Sequence, residues 1–297
     1  MKTILKDTFV TSVRAVLFNF KFVFLLWGAN FAASFIVSMP IYYIITDHLS
    51  NSAIGSIVSE EFTINWLMQF KYLYQNNLGQ IPLVLISTLG AYLLIQSFFS
   101  GGIIAVFNLP DKNHSVDFFY GCVKYWYRFT KIMLISLFFF ALAFKLNDLL
   151  GDLISYIFLN SESELADFIL RSLRYILLIF LIGIVTIISD YSKVSIALSD
   201  KEKILKEMGN AAVFIKNNFS KTFIVFFIVA VIGALGSIVY NIIASTIPRS
   251  PYYYLIISFI LQQMLIIFRF LVRMLFFATE VYLYKDFSAD VVVIDNQ

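Results

Sequence analysis

The feature that most constrains this chain is a series of six long stretches of apolar residues. A transmembrane helix needs about 20 predominantly apolar residues, and these stretches reach or approach that length. They run approximately over residues 20–46, 82–109, 131–150, 172–189, 222–247 and 252–284. Of 297 residues only 14% are charged and 60% are hydrophobic, whereas soluble domains contain about 25% charged residues. The sequence therefore predicts an all-α integral membrane protein, a single polytopic domain over residues 1–297 with six transmembrane helices.

Three segments beside these stretches have the periodicity of amphipathic helices. In residues 204–219 the apolar side chains recur at three- and four-residue steps, which places them on one helical face. They are Ile204, Leu205, Met208, Ala211, Ala212, Ile215 and Phe219. The charged side chains are predicted largely on the other side, namely Lys201, Glu202, Lys203, Lys206 and Glu207. Residues 3–18 and 115–129 repeat this pattern, so we expect three interfacial helices. A further surface helix is predicted over residues 62–74.

Lysine and arginine are unevenly distributed among the segments that flank the six stretches. Fifteen lie in the N-terminal segment, the second and fourth loops and the C-terminal tail, whereas five lie in the alternate regions. Positively charged flanking segments stay on the cytoplasmic side of a membrane. The distribution therefore predicts a protein of the bacterial inner membrane with both termini in the cytoplasm. The three amphipathic helices are all predicted on that side.

An internal repeat is indicated by the recurrence of this pattern along the chain. Shifting the sequence by 90 residues places Ser100–Lys131 over Asp190–Lys221 without a gap. Each copy contains the end of a span, a polar turn, an amphipathic helix and an aromatic–lysine pair that opens the next span. The N-terminal segment up to Lys21 is a weaker third copy. We therefore expect a pseudo-threefold repeat of a surface helix followed by a helical hairpin.

The sixth stretch carries the charged residues that are most costly to place in a membrane. Arg269, Arg273 and Glu280 fall near one stripe of a helix. A charge at the bilayer centre costs about 2.5–3.5 kcal/mol on insertion scales and usually faces a partner or water. Asp190 and Lys193, at the end of the fourth stretch, are the natural partners of Arg273 and Glu280. Two interpretations stay open: an anion or lipid-headgroup site, and a structural network in which Asp190 anchors a helix end.

Residues for other chemistry are scarce. The single cysteine, Cys122, excludes an internal disulfide. His48 and His114 fall on opposite sides of the predicted membrane, so they cannot share a metal site. No nucleotide-binding, hydrolase or zinc-protease motif is present. We therefore predict no catalytic residue, no cofactor, no metal and no nucleic-acid partner.

One segment resembles a known group of proteins. The turn Asp190-Tyr191-Ser192-Lys193, the alanine-containing amphipathic helix after it and the re-entry at Asn217–Lys221 are similar to bacterial six-span membrane proteins. These include the glycerophosphoryl diester phosphodiesterase membrane domain and the YciC-like inner-membrane proteins. The resemblance implies an auxiliary or lipid-associated role, and it carries no catalytic residue over to this chain.

Three functional hypotheses follow. The first is a non-enzymatic membrane protein whose interfacial helices engage membrane lipids or a partner membrane subunit, which can be another copy of the chain. The second is a small transporter or channel with the charged residues at its cytoplasmic mouth. The third is an intramembrane enzyme acting on lipid. A transporter requires a continuous polar cavity, a scaffold a filled core, and an enzyme a lipid-facing cleft with catalytic groups.

Overall fold

In the residues that it describes, the computed structural model is almost wholly α-helical. It describes residues 2–50, 68, 72, 81–108, 114–159, 163–200, 202–248 and 253–294. The described helices are α1 Lys2–Phe18, α2 Lys21–Ser50, α3 Ile81–Asn108, α4 His114–Ile157, α5 Glu164–Ser199, α6 Ile204–Asn217, α7 Phe219–Thr246 and α8 Tyr253–Ile294. Six of them, all except α1 and α6, are long and apolar enough to cross a membrane. The prediction of an all-α, multi-pass membrane protein is confirmed. The surface helix predicted over residues 62–74 lies almost wholly outside the described residues.

The chain divides into two compact units. Unit 1 contains Met1–Val23 and Ser97–Gln297, and unit 2 contains Phe24–Gln96. In unit 2, parts of α2 and α3 line a groove of about 410 Å³ that carries small polar side chains such as Ser34, Ser38 and Thr88. Unit 1 holds the charged residues singled out above. The prediction of one continuous membrane domain stays a prediction.

Unit 1 is built around three helix ends whose side chains are buried almost all round. These segments are residues 100–107 of α3, 189–197 of α5 and 274–283 of α8. Tyr284 of α8 donates a hydrogen bond to Ser195 of α5 at 3.2 Å, and Lys285 donates one to the carbonyl oxygen of Asn108 at 2.8 Å. The three ends therefore meet in one place. We call the region formed by these three segments the junction.

Each amphipathic segment packs against one of the junction helices. Helix α1 contacts α8, where Thr8 Oγ1 donates a hydrogen bond to Asp286 at 3.0 Å. The first part of α4 crosses α3 so closely that a Cβ added to Gly101 would stand 2.7 Å from the carbonyl oxygen of Gly121. Helix α6 packs on α5, with Ala211 fully buried in an apolar cluster that includes Tyr191. The small residues at these crossings allow the backbones to approach closely.

The second amphipathic segment is not a separate helix. The sequence predicted a surface helix over residues 115–129 and a span from 131, whereas α4 runs unbroken from His114 to Ile157. The other two amphipathic segments are followed by an interruption, at Asn19–Phe20 between α1 and α2 and at Asn218 between α6 and α7. Asparagine favours turns because its side chain bonds to nearby backbone groups; here Asn218 donates to the carbonyl oxygen of Phe214. Residues 129–131 of α4 contain no comparable helix breaker.

Close helix contacts also occur away from the junction. The side chain of Arg174 in α5 lies directly against Gly151 of α4, in the space that a Cβ there would need. Gly236 of α7 is contacted in the same way by the ring of Phe268 in α8. A larger side chain at either glycine would therefore have to displace its neighbour. Gly90, by contrast, has no described atom within 4 Å of such a position.

Candidate functional site

The charged residues of α5 and α8 meet at the edge of the junction, around the carboxylate of Asp190. Arg273 holds this carboxylate with two nitrogens, Nη1 to Oδ2 at 2.9 Å and Nη2 to Oδ1 at 3.2 Å. Lys193, one turn further along α5, donates to Oδ1 at 2.8 Å. The Asp190 side chain is only 2% exposed. Both carboxylate oxygens are thus engaged by cations in a place that water barely reaches.

The ring of Phe277 lies beside both cations. The guanidinium carbon of Arg273 is 4.4 Å from the ring centroid, and Lys193 Nζ is 5.9 Å from it. An aromatic face attracts a cation at such distances. Phe277 is itself buried, so its ring is a fixed contact surface for the two cations.

Glu280 is the second acid of this region. It lies two helical turns after Arg273 on α8, and it is buried. Its Oε2 atom has no hydrogen-bond partner among the described residues. With Asp190 it balances the formal charges of Lys193 and Arg273. A buried carboxylate oxygen without a partner is uncommon in proteins, so Glu280 is the least satisfied member of the group.

The structure does not bring Arg269 into this group. Its side chain is exposed, and it makes no hydrogen bond or ion pair with any residue that the structure describes. The reason is its position on α8. Arg269 precedes the buried stretch that begins at Met274, and there the helix still has an outward face. The expectation that Arg269 shares a site with Arg273 and Glu280 is therefore not met.

A second polar cluster in the junction was not predicted. Glu207 of α6 is almost completely buried and accepts hydrogen bonds from Ser195 Oγ at 2.8 Å and from Asn210 at 3.0 Å. Ser195 in turn accepts the bond from Tyr284. The sequence placed Glu207 on the polar, outward side of α6, which is wrong. The signal for its burial was its position four residues before Ala211, the residue at the helix crossing.

The end of α5 is also held by ion pairs between Asp200 and helix α4. Asp200 caps the helix in a left-handed conformation with φ of 49°, which aspartate tolerates better than most residues. Its carboxylate binds Lys124 and Arg128 of α4, each at 2.8 Å. Hydrogen bonds from these two cations lower the pKa of Asp200 below its ordinary value. The contact therefore joins α4 to α5 at physiological pH.

The site has little capacity to bind a further ligand, because most of its charged groups already bind one another. Asp190 has no oxygen left for a substrate, and its partners are held by it and by Phe277. Among the described residues, no three His, Cys, Asp or Glu side chains are grouped so that they could hold a metal ion. The arrangement can join α5 to α8, and Glu280 is the one acid there with an unused oxygen.

Comparison with protein-family models, with curated proteins and with solved structures finds no match to this chain.

Proposed function

We propose that this protein is a non-enzymatic membrane scaffold whose amphipathic segments form a collar in contact with membrane lipid. The collar consists of α1, residues 114–130 of α4, and α6. One observation carries the proposal: each segment packs one side on the junction and leaves large apolar side chains exposed on another. They include Val10, Leu17 and Phe18 of α1, Val116, Phe119, Tyr120, Val123 and Tyr127 of α4, and Leu205 and Val213 of α6.

These exposed side chains favour lipid as the surrounding medium. Contiguous apolar surface of this kind is rare on a protein surface in water and marks contact with a partner or a membrane. On α1 the division is sharp, since Thr8 and Ser12 face the protein whereas Leu17 and Phe18 are exposed. An amphipathic helix of this composition binds at the boundary between headgroups and acyl chains. Lipid therefore accounts for the outward faces, and an apolar partner subunit is the alternative occupant.

The repeat belongs to the same proposal. Ser100, Asp190 and Glu280 are all buried at the junction, and each is 90 residues from the next. The amphipathic segments contact the junction helices in cyclic order, with α4 on α3, α6 on α5 and α1 on α8. This order supports three copies of one unit arranged around a pseudo-threefold axis, with the first unit's surface helix closing the ring against the last.

The orientation of the protein in its membrane is proposed from the distribution of charged residues. We propose that the collar faces the cytoplasm and that both termini lie there, because Lys and Arg are concentrated in its segments. The bacterial inner membrane and the resemblance to the phosphodiesterase membrane domain and YciC-like proteins stay predictions. A reporter fused after residue 294 should be active only in the cytoplasm, and activity on the other side would overturn this orientation.

The rival functions receive less support from the geometry. The grooves formed wholly by described residues that are given above and below are not lined by Asp190, Arg273 or Glu280. A transporter built on these residues needs them to border a polar path. An intramembrane lipid enzyme needs a reactive group with free atoms, whereas both oxygens of the Asp190 carboxylate already accept hydrogen bonds from cations. Glu280 is the residue on which a transporter hypothesis would depend, because of its unpartnered oxygen.

Site-directed spin labelling tests the collar. Labels at Val123 and Val213, in a Cys122→Ser background, should collide readily with oxygen, which dissolves in lipid, and poorly with a water-soluble nickel chelate. A label at Ser199, an exposed polar position, is the control and should show the opposite preference. Preferential access of the nickel chelate to both collar positions would contradict the proposal. Protection from both reagents would indicate a bound partner subunit instead of lipid.

A further inference from the structure

A groove between the start of α6 and α4 has the chemical character of a phospholipid site. It measures about 790 Å³, and its rim and floor come from only eight residues. They are Lys131, Leu134 and Ile135 of α4, Glu202 and Lys203 just before α6, and Ile204, Leu205 and Lys206 in its first turn. None of these residues belongs to the network around Asp190. We propose that this groove binds one anionic phospholipid, with the phosphate on the lysines and an acyl chain along α4.

The charges on the rim favour an anion. Three lysines and one glutamate line the groove, which gives a formal charge of +2. Lys131 is held by the ring of Tyr127, whose centroid is 4.1 Å from Nζ. Lys203 and Lys206 are exposed, and no described residue forms an ion pair with them. These amines are therefore available to a phosphate, to which lysine binds as a point charge.

The floor of the groove supplies the apolar part. Leu134 and Ile135 are three and four residues after Lys131, so they lie on the same face of α4. A helix rises about 1.5 Å per residue, and α4 continues from Lys131 into its apolar stretch. Leu134 and Ile135 thus lie about one helical turn further along α4 than Lys131, toward its apolar stretch. This order, a cation at the surface and apolar side chains below, matches a headgroup followed by its acyl chain.

The collar proposed above explains why lipid reaches this groove, so the inference depends on that proposal. The collar alone requires only a general lipid surface. The groove adds a defined stoichiometry and a preference for negatively charged headgroups. A second groove, of about 540 Å³, is lined by α1 alone and carries the single cation Arg14. It lacks the grouping of lysines and serves as the internal comparison.

Native mass spectrometry of the protein from nanodiscs tests the site. The nanodiscs contain phosphatidylcholine with phosphatidylglycerol, or phosphatidylcholine with phosphatidylethanolamine. We expect one tightly retained phosphatidylglycerol per chain. The variant Lys131→Gln/Lys206→Gln should weaken this binding about 30-fold, since each lysine near a charged surface contributes about a fivefold effect. Lys131→Arg/Lys206→Arg, which keeps both charges, should retain the lipid.

A matched control uses the same two helices. Lys145→Gln/Lys216→Gln also removes one lysine from α4 and one from α6, at exposed positions that do not line the groove. It should change the affinity by less than about threefold, because exposed charges beyond the Debye length are screened. Equal losses in the two double variants would overturn the site. So would equal retention of phosphatidylethanolamine, or displacement of phosphatidylglycerol by inorganic phosphate alone.

The two proposals fail separately. If the spin labels show lipid contact but no anionic lipid is retained, the groove is refuted and the collar stands. If the labels report water while phosphatidylglycerol remains bound, the collar is refuted and the groove stands.

Discussion

Asp190→Ala should destabilise the protein more than any other single removal of a charge described here. The carboxylate accepts three hydrogen bonds from two cations, at 2.8, 2.9 and 3.2 Å. Its loss leaves Arg273 and Lys193 without their partner, and an unpaired buried charge costs about 3–5 kcal/mol. The Arg273 side chain is 38% exposed, so its charge is less deeply buried than the Asp190 carboxylate. We therefore expect the lower end of that range, about 3 kcal/mol.

Unfolding by sodium dodecyl sulfate in mixed micelles, followed by circular dichroism, measures this loss. The control is Asp167→Ala on the same helix, since Asp167 pairs with Arg171 at 2.8 Å with both side chains substantially exposed. An exposed pair one turn apart contributes about 0.3–0.5 kcal/mol. The double variant Asp190→Ala/Arg273→Ala should cost less than the sum of its singles by about 1–3 kcal/mol. Equal costs for Asp190→Ala and Asp167→Ala would refute the reasoning.

Three further predictions concern the junction and its edges. Gly102→Ala should cost about 1–3 kcal/mol, because its Cβ would meet backbone and side-chain atoms of α4 at less than 3 Å; Gly90→Ala, in open space, should be neutral or stabilising in the same unfolding assay. Glu207→Ala should cost about 1–3 kcal/mol, because the hydroxyl of Ser195 loses its acceptor. Asp200→Asn should have its full destabilising effect above the ordinary carboxyl pKa of about 3.9. The lowered pKa of Asp200 means that its contribution is complete above that value and is lost as the pH falls through the folded-state pKa. The stability difference between the unmodified protein and Asp200→Asn should therefore be smaller at pH 3 than at pH 7, and a difference equally large at the two pH values would contradict this.

The fold class could be predicted because bilayer thickness imposes a length on each apolar stretch. All six predicted stretches correspond to long apolar helices. Their ends were harder to place. α5 continues to Ser199 and α4 begins at His114, well outside the predicted spans. Apolar character marks where lipid surrounds a helix, whereas a helix also continues wherever neighbouring helices bury it, as they do at residues 189–197.

The site was predictable only where a charge had to be neutralised. Arg273 and Asp190 lie in apolar surroundings, and their pairing follows from the cost of burying either one alone. Arg269 lies on the same stripe of α8 as Arg273. Whether it is buried depends on which helices pack against α8 at residue 269, and the sequence does not give that packing. Glu207 shows the reverse case. A glutamate next to lysines in the sequence is expected to face outward. Only the packing of α6 on α5 shows that Glu207 accepts a hydrogen bond from Ser195.

The unbroken course of α4 has a mechanical consequence. Sharp kinks occur at proline, at glycine–serine pairs or where a group is inserted, and α4 contains no proline and no glycine next to serine, so we expect it to bend only gently. At 44 residues and about 1.5 Å per residue, α4 is about 66 Å long. We therefore expect a displacement of Tyr127, in the portion of α4 that we propose to contact lipid, to tilt the helix at Gly151, where Arg174 lies against it. Between α6 and α7 the helix is interrupted at Asn218, so we expect no comparable transmission of a tilt there.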